Sequence, residues 1–262
     1  MIVTNSSNCY DIPEYWDMAF SEDTALEADF IEAAVRRFCD FPLQTLYEPG
    51  CGGGRLVFEL ARRGYDVTGV DQSQAAVDFT NARLAADSLQ GRAMVGDMRE
   101  SLPGQTFDLA YCLVNTFRHL LIEDDALQHL QSVSGMLREG GLYVLGMHLL
   151  PPDADEEDEE EWRIQNSGTT IDMRLDVAGC DRKTRLETLR FKMTVTDDRA
   201  KAPVRFTSDY RMRTYEAEHM RQLLAKVPSL AVIGIYDFWY DLEEPLTLSD
   251  ELGDTVFVLQ KR

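Results

Sequence analysis

Positive charge is scarce in this chain. Of 262 residues, 26 are Lys or Arg and 46 are Asp or Glu, a formal charge of −20. Nucleic acids attract proteins through Lys and Arg that neutralise phosphates, so nucleic acid is not an expected partner. Cysteine is sparse and scattered, at Cys9, Cys39, Cys51, Cys112 and Cys180, with no CxxC pair. Neither a disulfide framework nor a zinc knuckle is expected, no metal site is indicated, and a reducing cytoplasm suits such a chain. Long apolar runs are missing too. The best candidate, Leu142 to Leu150, is interrupted by Gly146 and His148 and stops at Pro151, well short of the roughly 18–20 residues that cross a bilayer. No membrane association is expected. The opening MIVTNSSNCYDIPEYW has no basic stretch followed by an apolar one, so a secretory signal is not expected either. What is present is globular composition, 44% hydrophobic and 10% aromatic, in a chain long enough for one large domain or two small ones.

From Leu43 to His148 short β-like runs alternate with helical stretches, the pattern of a parallel sheet built from βαβ units. Strands are expected at Leu43–Glu48, Tyr65–Asp71, Arg92–Asp97, Phe107–Asn115 and Gly141–His148. Helices are expected at Arg55–Arg63, stopped by Gly64; at Gln74–Ala86, opened by Ser73; and at Glu123–Leu137, stopped by Gly140 and Gly141. After Pro151 and Pro152 come eight acidic residues in the nine from Asp153 to Glu161, a self-repelling run expected to be a solvated loop. Three partly alternating stretches, Thr169–Val177, Thr184–Thr196 and Val204–Thr214, predict an inserted antiparallel layer. A helix, Glu216–Lys226, and two strands, Leu230–Tyr240 and Thr255–Gln260, close the chain. The division is then 1–42, an N-terminal segment; 43–150, an α/β core; 151–214, acidic loop and inserted layer; and 215–262, completing the core.

The sharpest local signal is EPGCGGGR, Glu48 to Arg55, where the first strand of the core turns into its first helix. Glycines there let a ligand lie against main-chain N–H groups at a helix N-terminus. Asp71 ends the next strand twenty-one residues after Gly50, near the spacing at which an acid accepts hydrogen bonds from ribose hydroxyls. Asp97 ends the third strand likewise, which brings Glu48, Asp71 and Asp97 to the carboxyl edge of one sheet, where open α/β folds bind ligands. Arg55 stands where a dinucleotide fingerprint needs its last glycine, and no Lys-Ser/Thr follows the loop as a P-loop requires. A ligand with ribose, adenine and a cationic centre but no pyrophosphate fits better.

These residues carry a resemblance to the class I S-adenosylmethionine-dependent methyltransferases: EPGCGGGR, VDQS, GDM, FDLAYCLVNTFRHL and MLREGGLYVLGMH follow in the family's order. The resemblance implies a Rossmann-like methyltransferase fold, a seven-stranded, mostly parallel sheet with an antiparallel last strand, here with the inserted antiparallel β layer. It implies S-adenosylmethionine as methyl donor and S-adenosylhomocysteine as product. Glu48, Gly50, Cys51 and Gly52 would then lie in the donor loop, Gly50 to Gly52 backing its methionine part. Asp71, with Gln72 beside it, would hold the ribose; Asp97 and Met98 would frame the adenine; Leu113 would pass under the sulfonium by its backbone. The extra glycine, Gly53, departs from the pattern and is expected to loosen the loop.

NTFRHLL, Asn115 to Leu121, resembles the stretch that small-molecule N-methyltransferases place beside the acceptor, which makes His119 the catalytic candidate; the alternative is a histidine that packs the start of a helix. Tyr10 to Phe20 resembles the helical lid of related enzymes, with Tyr10, Tyr15 or Trp16 near donor or acceptor, and Tyr15 as a second catalytic candidate; the alternative is that these aromatics pack the core against the first helix. His148, ending the fifth core strand, is a secondary candidate facing the same edge, and Asn115 and His148 are further candidates for holding the acceptor. His129 and His219 are expected at the surface or its boundary. Strand alternation puts Arg211 and Arg213 on one face, either to hold an acceptor's anionic group or to face solvent. The expected activity is methyl transfer to a nitrogen, or an oxygen, of a small molecule, with a homodimer through the inserted layer as a further expectation. The competing expectations are a non-catalytic S-adenosylmethionine-binding scaffold and, disfavoured by Arg55, an NAD-dependent reductase.

Overall fold

Two β-sheets organise the chain, and the larger one is laid down by the expected alternation. In a computed structural model that describes residues 3–5, 12–154, 159–200 and 202–262, the core runs β2 (Thr45–Pro49), α3 (Arg55–Arg62), β3 (Asp66–Asp71), α4 (Gln74–Ala86), β4 (Gly91–Val95), β5 (Phe107–Cys112), α5 (Glu123–Met136) and β6 (Leu137–His148). It closes with α6 (Ala217–Ala225), β11 (Leu230–Tyr236) and β12 (Asp254–Lys261). The seven strands lie in the order β11-β12-β6-β5-β2-β3-β4, and β12 is antiparallel to both its neighbours. Tyr47, Tyr143, Phe257 and Val133 pack one face, while Leu46, Leu60, Tyr111 and Val144 pack the other, and all are fully buried. This is the predicted α/β class with its antiparallel last strand.

The second sheet has order β1-β10-β9-β8-β7: β7 (Glu159–Asn166), β8 (Thr169–Asp181), β9 (Leu186–Asp197) and β10 (Val204–Arg213) are antiparallel. The N-terminal β1 (Val3–Asn5) adds a parallel edge. The sequence pattern predicted three of these strands. The fourth was hidden in the acidic run: Glu159 and Glu161 open β7, and both pair with Arg174 across the ladder. The opposite charge of Arg174 offsets the repulsion at Glu159 and Glu161, so the last three residues of the run are strand; Asp153 lies in a turn, and 155–158 fall outside the described residues.

Alternating Ile171, Met173, Phe191, Met193, Val195 and Phe206 form the inner face of this sheet. It is covered by α1 (Pro13–Ala19), whose Trp16 ring packs 5.0 Å from Phe191 and 4.8 Å from Phe20. Helix α2 (Thr24–Phe38) then joins α3 on the larger sheet through Ala28, Ile31 and Ala34.

Boundaries moved for local reasons. Ser73 caps α4 as expected, its hydroxyl oxygen accepting from the Ala76 N–H at 3.3 Å. Helix α5, by contrast, runs straight into β6 at Leu137; Gly140 and Gly141 lie inside the strand, across from a register shift between Phe107 and Leu109 of β5. A Cβ on Gly141 would sit 2.9 Å from two backbone carbonyl oxygens, so these glycines serve a bulge and not a helix stop. β5 ends at Cys112 because Val114 and Asn115 both turn to positive φ. Among the described residues no helix is long and apolar enough to cross a membrane.

Candidate functional site

Because β2, β3, β5 and β6 are parallel, their carboxyl ends deliver Pro49, Asp71, Cys112 and His148 to one edge of the sheet. The loop after β2 is zipped onto β3: the N–H groups of Gly50 and Cys51 both donate to the Val70 carbonyl, at 2.7 and 3.0 Å. Gly50 and Gly52 have φ of 71° and 53°, and Gly54, at 73°, is the residue before α3. A Cβ on Gly50 would lie 2.5 Å from Thr116 Cγ2, whereas one on Gly52 would meet nothing within 4 Å. The loop is thus sealed against the post-β5 turn on one side and open on the other.

The open side is a crevice lined by Pro13, Trp16, Gly52, Gly53, Asp71, Ser73 and Ala76. Asp71 is turned into it and tied down: Oδ2 accepts from the Gly52 N–H at 2.8 Å and Oδ1 from the Ser73 N–H at 2.8 Å. Each oxygen keeps a further lone pair for hydroxyl donors. Gly53 does the reverse of what its extra freedom predicts. A Cβ there would stand 2.6 Å from Asp17 Oδ1 and 3.0 Å from the Pro13 carbonyl, so the glycine seats α1 on the loop. Asp17 pairs with Arg83 of α4, which also donates to the Gly53 carbonyl at 3.3 Å and lies over the Phe58 ring. Burial pushes the Asp17 carboxyl up, against the pull of Arg83.

Asp97 and Gln72 lie side by side across the end of β3, with Gln72 Nε2 donating at 3.3 Å. Asp97 also takes a forked bond from Arg99, which holds its carboxyl below the usual range. The Met98 carbonyl is bound by His129 Nδ1 at 2.8 Å, and His129 Nε2 meets the Tyr143 hydroxyl at 2.7 Å. His129 is therefore fully buried, not a surface residue, and burial holds its ring down at about 4. His219 stays at the helix boundary, where its Nδ1 accepts from the Glu216 N–H. Glu48 turns inward: it is buried, accepts from the Tyr111 hydroxyl at 3.0 Å, and burial raises its carboxyl to about 8. Cys51 is buried against Gly69, leaving its backbone to the loop. Leu113 is buried beneath the turn, with its Cδ2 2.9 Å from where a Gly146 Cβ would stand.

Asn115 knits the turn together: its Oδ1 accepts from the His148 N–H at 2.8 Å and from Arg118 at 3.2 Å. His119 follows, its ring 5.7 Å from that of Tyr210 on the second sheet; burial, with Arg118 alongside, holds it down at about 4. Tyr15 lies 6.2 Å from Phe206 on that same sheet. Tyr10 falls outside the described residues. Arg211 and Arg213 do not share a surface. Arg211 is exposed on the outer face, while Arg213 is buried at the strand's end, donating to the Leu121 carbonyl at 2.9 Å and paired with Glu123, because β10 stops there against the post-β5 turn. Sequence reasoning missed Asp17, Arg83 and Thr116; the unexplained Gly53 was the available signal for the first two.

The residues present fit an adenosyl sulfonium donor: a glycine cradle with open space at Gly52, a positioned carboxylate at Asp71, and an aromatic wall from Trp16. Residues 47–141 match a family model described as Methyltransferase domain. The chain superposes with a S-adenosylmethionine-dependent methyltransferase from Clostridium acetobutylicum ATCC 824 at TM-score 0.78 and 17% identity, covering 97% of this chain and 99% of that one. An amino pentose methyltransferase of calicheamicin biosynthesis from Micromonospora echinaspora gives 0.71 and 20%, covering 98% and 99%. A sugar N-methyltransferase from Streptoalloteichus sp ATCC 53650 gives 0.74 and 16%, covering 97% and 95%. These likenesses establish the fold. The chain spans about half the length, or less, of the curated relatives it matches.

Proposed function

We propose, from the premise that the chain belongs to the class I S-adenosylmethionine-dependent methyltransferases, that it transfers a methyl group to an amine nitrogen of a small sugar-like molecule. The observation that carries this reading is the crevice formed by Gly52, Gly53 and Asp71 under α1. When bound, S-adenosylmethionine supplies an electrophilic methyl carbon on a sulfonium. The chain's part is to hold that group and to align the acceptor while excluding water. Asp71 binds the ribose hydroxyls, Gln72 and Asp97 border the adenine, and the glycine N–H groups face the methionine end. Helix α1 is the lid, pinned by Asp17 to Arg83 and backed by the inner face of the second sheet. The acceptor enters between that sheet and the post-β5 turn.

Nitrogen and a sugar-like acceptor are supported by the amino pentose and sugar N-methyltransferases, which share this architecture over nearly their whole length. Calorimetry with S-adenosylmethionine and S-adenosylhomocysteine tests the donor; radiolabelled methyl transfer to a panel of amino sugars, amines and hydroxyl analogues tests the acceptor. Absence of donor binding overturns the reading. Binding without transfer to any of the panel favours the scaffold alternative.

A further inference from the structure

The loop after β11 brings a second group of residues to the same edge. Since β11 and β12 are antiparallel and β12 is antiparallel to β6, β11 runs with β6 and ends at the edge where His148 stands. Register places Asp254 of β12 directly opposite His148. Their side chains meet, His148 Nδ1 lying 2.5 Å from Asp254 Oδ1. A carboxylate accepts only, so a neutral ring in this pair places its proton on Nδ1 and turns the Nε2 lone pair outward as an acceptor. Phe238 packs edge-on against the imidazole, 5.0 Å between centroids, and Asn115 fixes the His148 main chain from the turn whose Thr116 abuts Gly50. The ring is thus oriented from three elements, with Asp254 of β12 as its ion-pair partner, Arg118 bonded to Asn115 in the turn and Asp237 beside Phe238 in the loop, and it keeps 38% of its side-chain surface exposed. His119 differs in its electrostatics: the Arg118 guanidinium adjoins it, and its ring packs beside Tyr210 of the second sheet.

We propose that His148, oriented by Asp254, is the proton acceptor that readies a cationic amine for methylation, and that His119 packs the acceptor pocket without taking a proton. This rests on the methyltransferase reading above and deepens it to an acceptor that arrives as an ammonium. The ammonium passes one proton to Nε2, giving an imidazolium whose charge faces the Asp254 carboxylate. The freed nitrogen lone pair forms the new N–C bond as the C–S bond breaks and its electron pair stays on sulfur. The imidazolium then returns its proton to solvent. A carboxylate that orients a histidine and stabilises its charge is the recurring arrangement of such bases.

The test uses side-chain nitrogen NMR of the four histidines in the full-length protein saturated with S-adenosylhomocysteine, with His148→Gln for assignment. Thermal shift with S-adenosylhomocysteine alone comes first; no shift there sinks the methyltransferase reading and this proposal with it. Given binding, the His148 ring is expected as the Nδ1–H tautomer, moving toward the protonated signature when D-glucosamine is added. Asp254→Asn, a change at a half-exposed carboxyl, is expected to abolish that fixed tautomer and the response. In methyl transfer to D-glucosamine, His148→Gln is expected to lower kcat by about 100-fold, leaving KM for S-adenosylmethionine within about twofold. Response at His119 alone, response at neither ring, or undiminished turnover in His148→Gln overturns the assignment.

Discussion

Gly53 shows how much one hydrogen in place of a methyl group can carry. Its φ is not positive, so backbone conformation does not demand glycine; the space does, because Asp17 and the Pro13 carbonyl occupy the Cβ position. Gly52 is the opposite case, with a left-handed φ of 53° and empty space around it. Gly53→Ala is therefore expected to displace α1 and cost about 1–3 kcal/mol, while Gly52→Ala costs about 1 kcal/mol through backbone strain alone. Both should raise the dissociation constant of S-adenosylmethionine, Gly53→Ala by displacing α1 and Gly52→Ala by filling the open side of the crevice, but only Gly53→Ala should also show the larger stability loss; denaturant melts and calorimetry on both variants separate the two effects. The glycines and strand-ending acids were legible in the sequence because their chemistry is local. What Gly53 faces was not, since Asp17 lies thirty-six residues upstream and reaches the loop only through the tertiary packing of α1. The same holds for His129, whose helical position was readable but whose burial between the Met98 carbonyl and Tyr143 was not.

Among the described α-helices, α1 is the shortest and depends on tertiary support. It is a seven-residue helix with no side-chain cap bond at its N-terminus, too short to persist alone, and it is held by aromatic packing on the second sheet and by Asp17 with Arg83. Removing the guanidinium strands a buried carboxylate. Arg83→Gln is expected to cost about 1–3 kcal/mol at neutral pH and to weaken donor binding. The pH dependence has a definite sign. A carboxyl whose folded pKa is raised binds its proton more tightly folded than unfolded, so stability falls as pH rises above its ordinary value of 3.8. Loss of Arg83 raises that carboxyl further, so the variant's deficit should shrink on acidification toward pH 4. A deficit that stays constant from pH 7 to 4 in thermal melts would show that Asp17 is not its source. The strand boundaries carry a related lesson: Gly140 and Gly141 look like a helix stop in sequence, and only the register of β5 against β6 turns them into a bulge.

At the scale of the molecule, the two sheets are joined by a buried cation. Arg118, in the post-β5 turn, pairs with Glu187 of β9, donates to the Arg213 carbonyl at 3.0 Å and reaches Asn115 at 3.2 Å. Neither partner was identifiable beforehand, because the pair spans sixty-nine residues and alternation in β9 predicts only that Glu187 lies on one face or the other. Asn115 in turn holds His148, so this one guanidinium couples the placement of the second sheet to the geometry of the edge. Replacing it with methionine leaves Glu187 buried and unpaired, which costs about 3–5 kcal/mol for a pair of this kind. It also frees Asn115 to relax. The expected calorimetric trace for Arg118→Met is a lower first transition for the second sheet, separated from that of the seven-stranded core, with methyl transfer lost before the core melts. Glu187→Gln, which removes the uncompensated charge, should restore most of the stability of Arg118→Met but not its activity, because Asn115 remains unbraced. A single cooperative melt in Arg118→Met, or activity recovered together with stability in the double variant, would place the coupling of sheet and edge elsewhere.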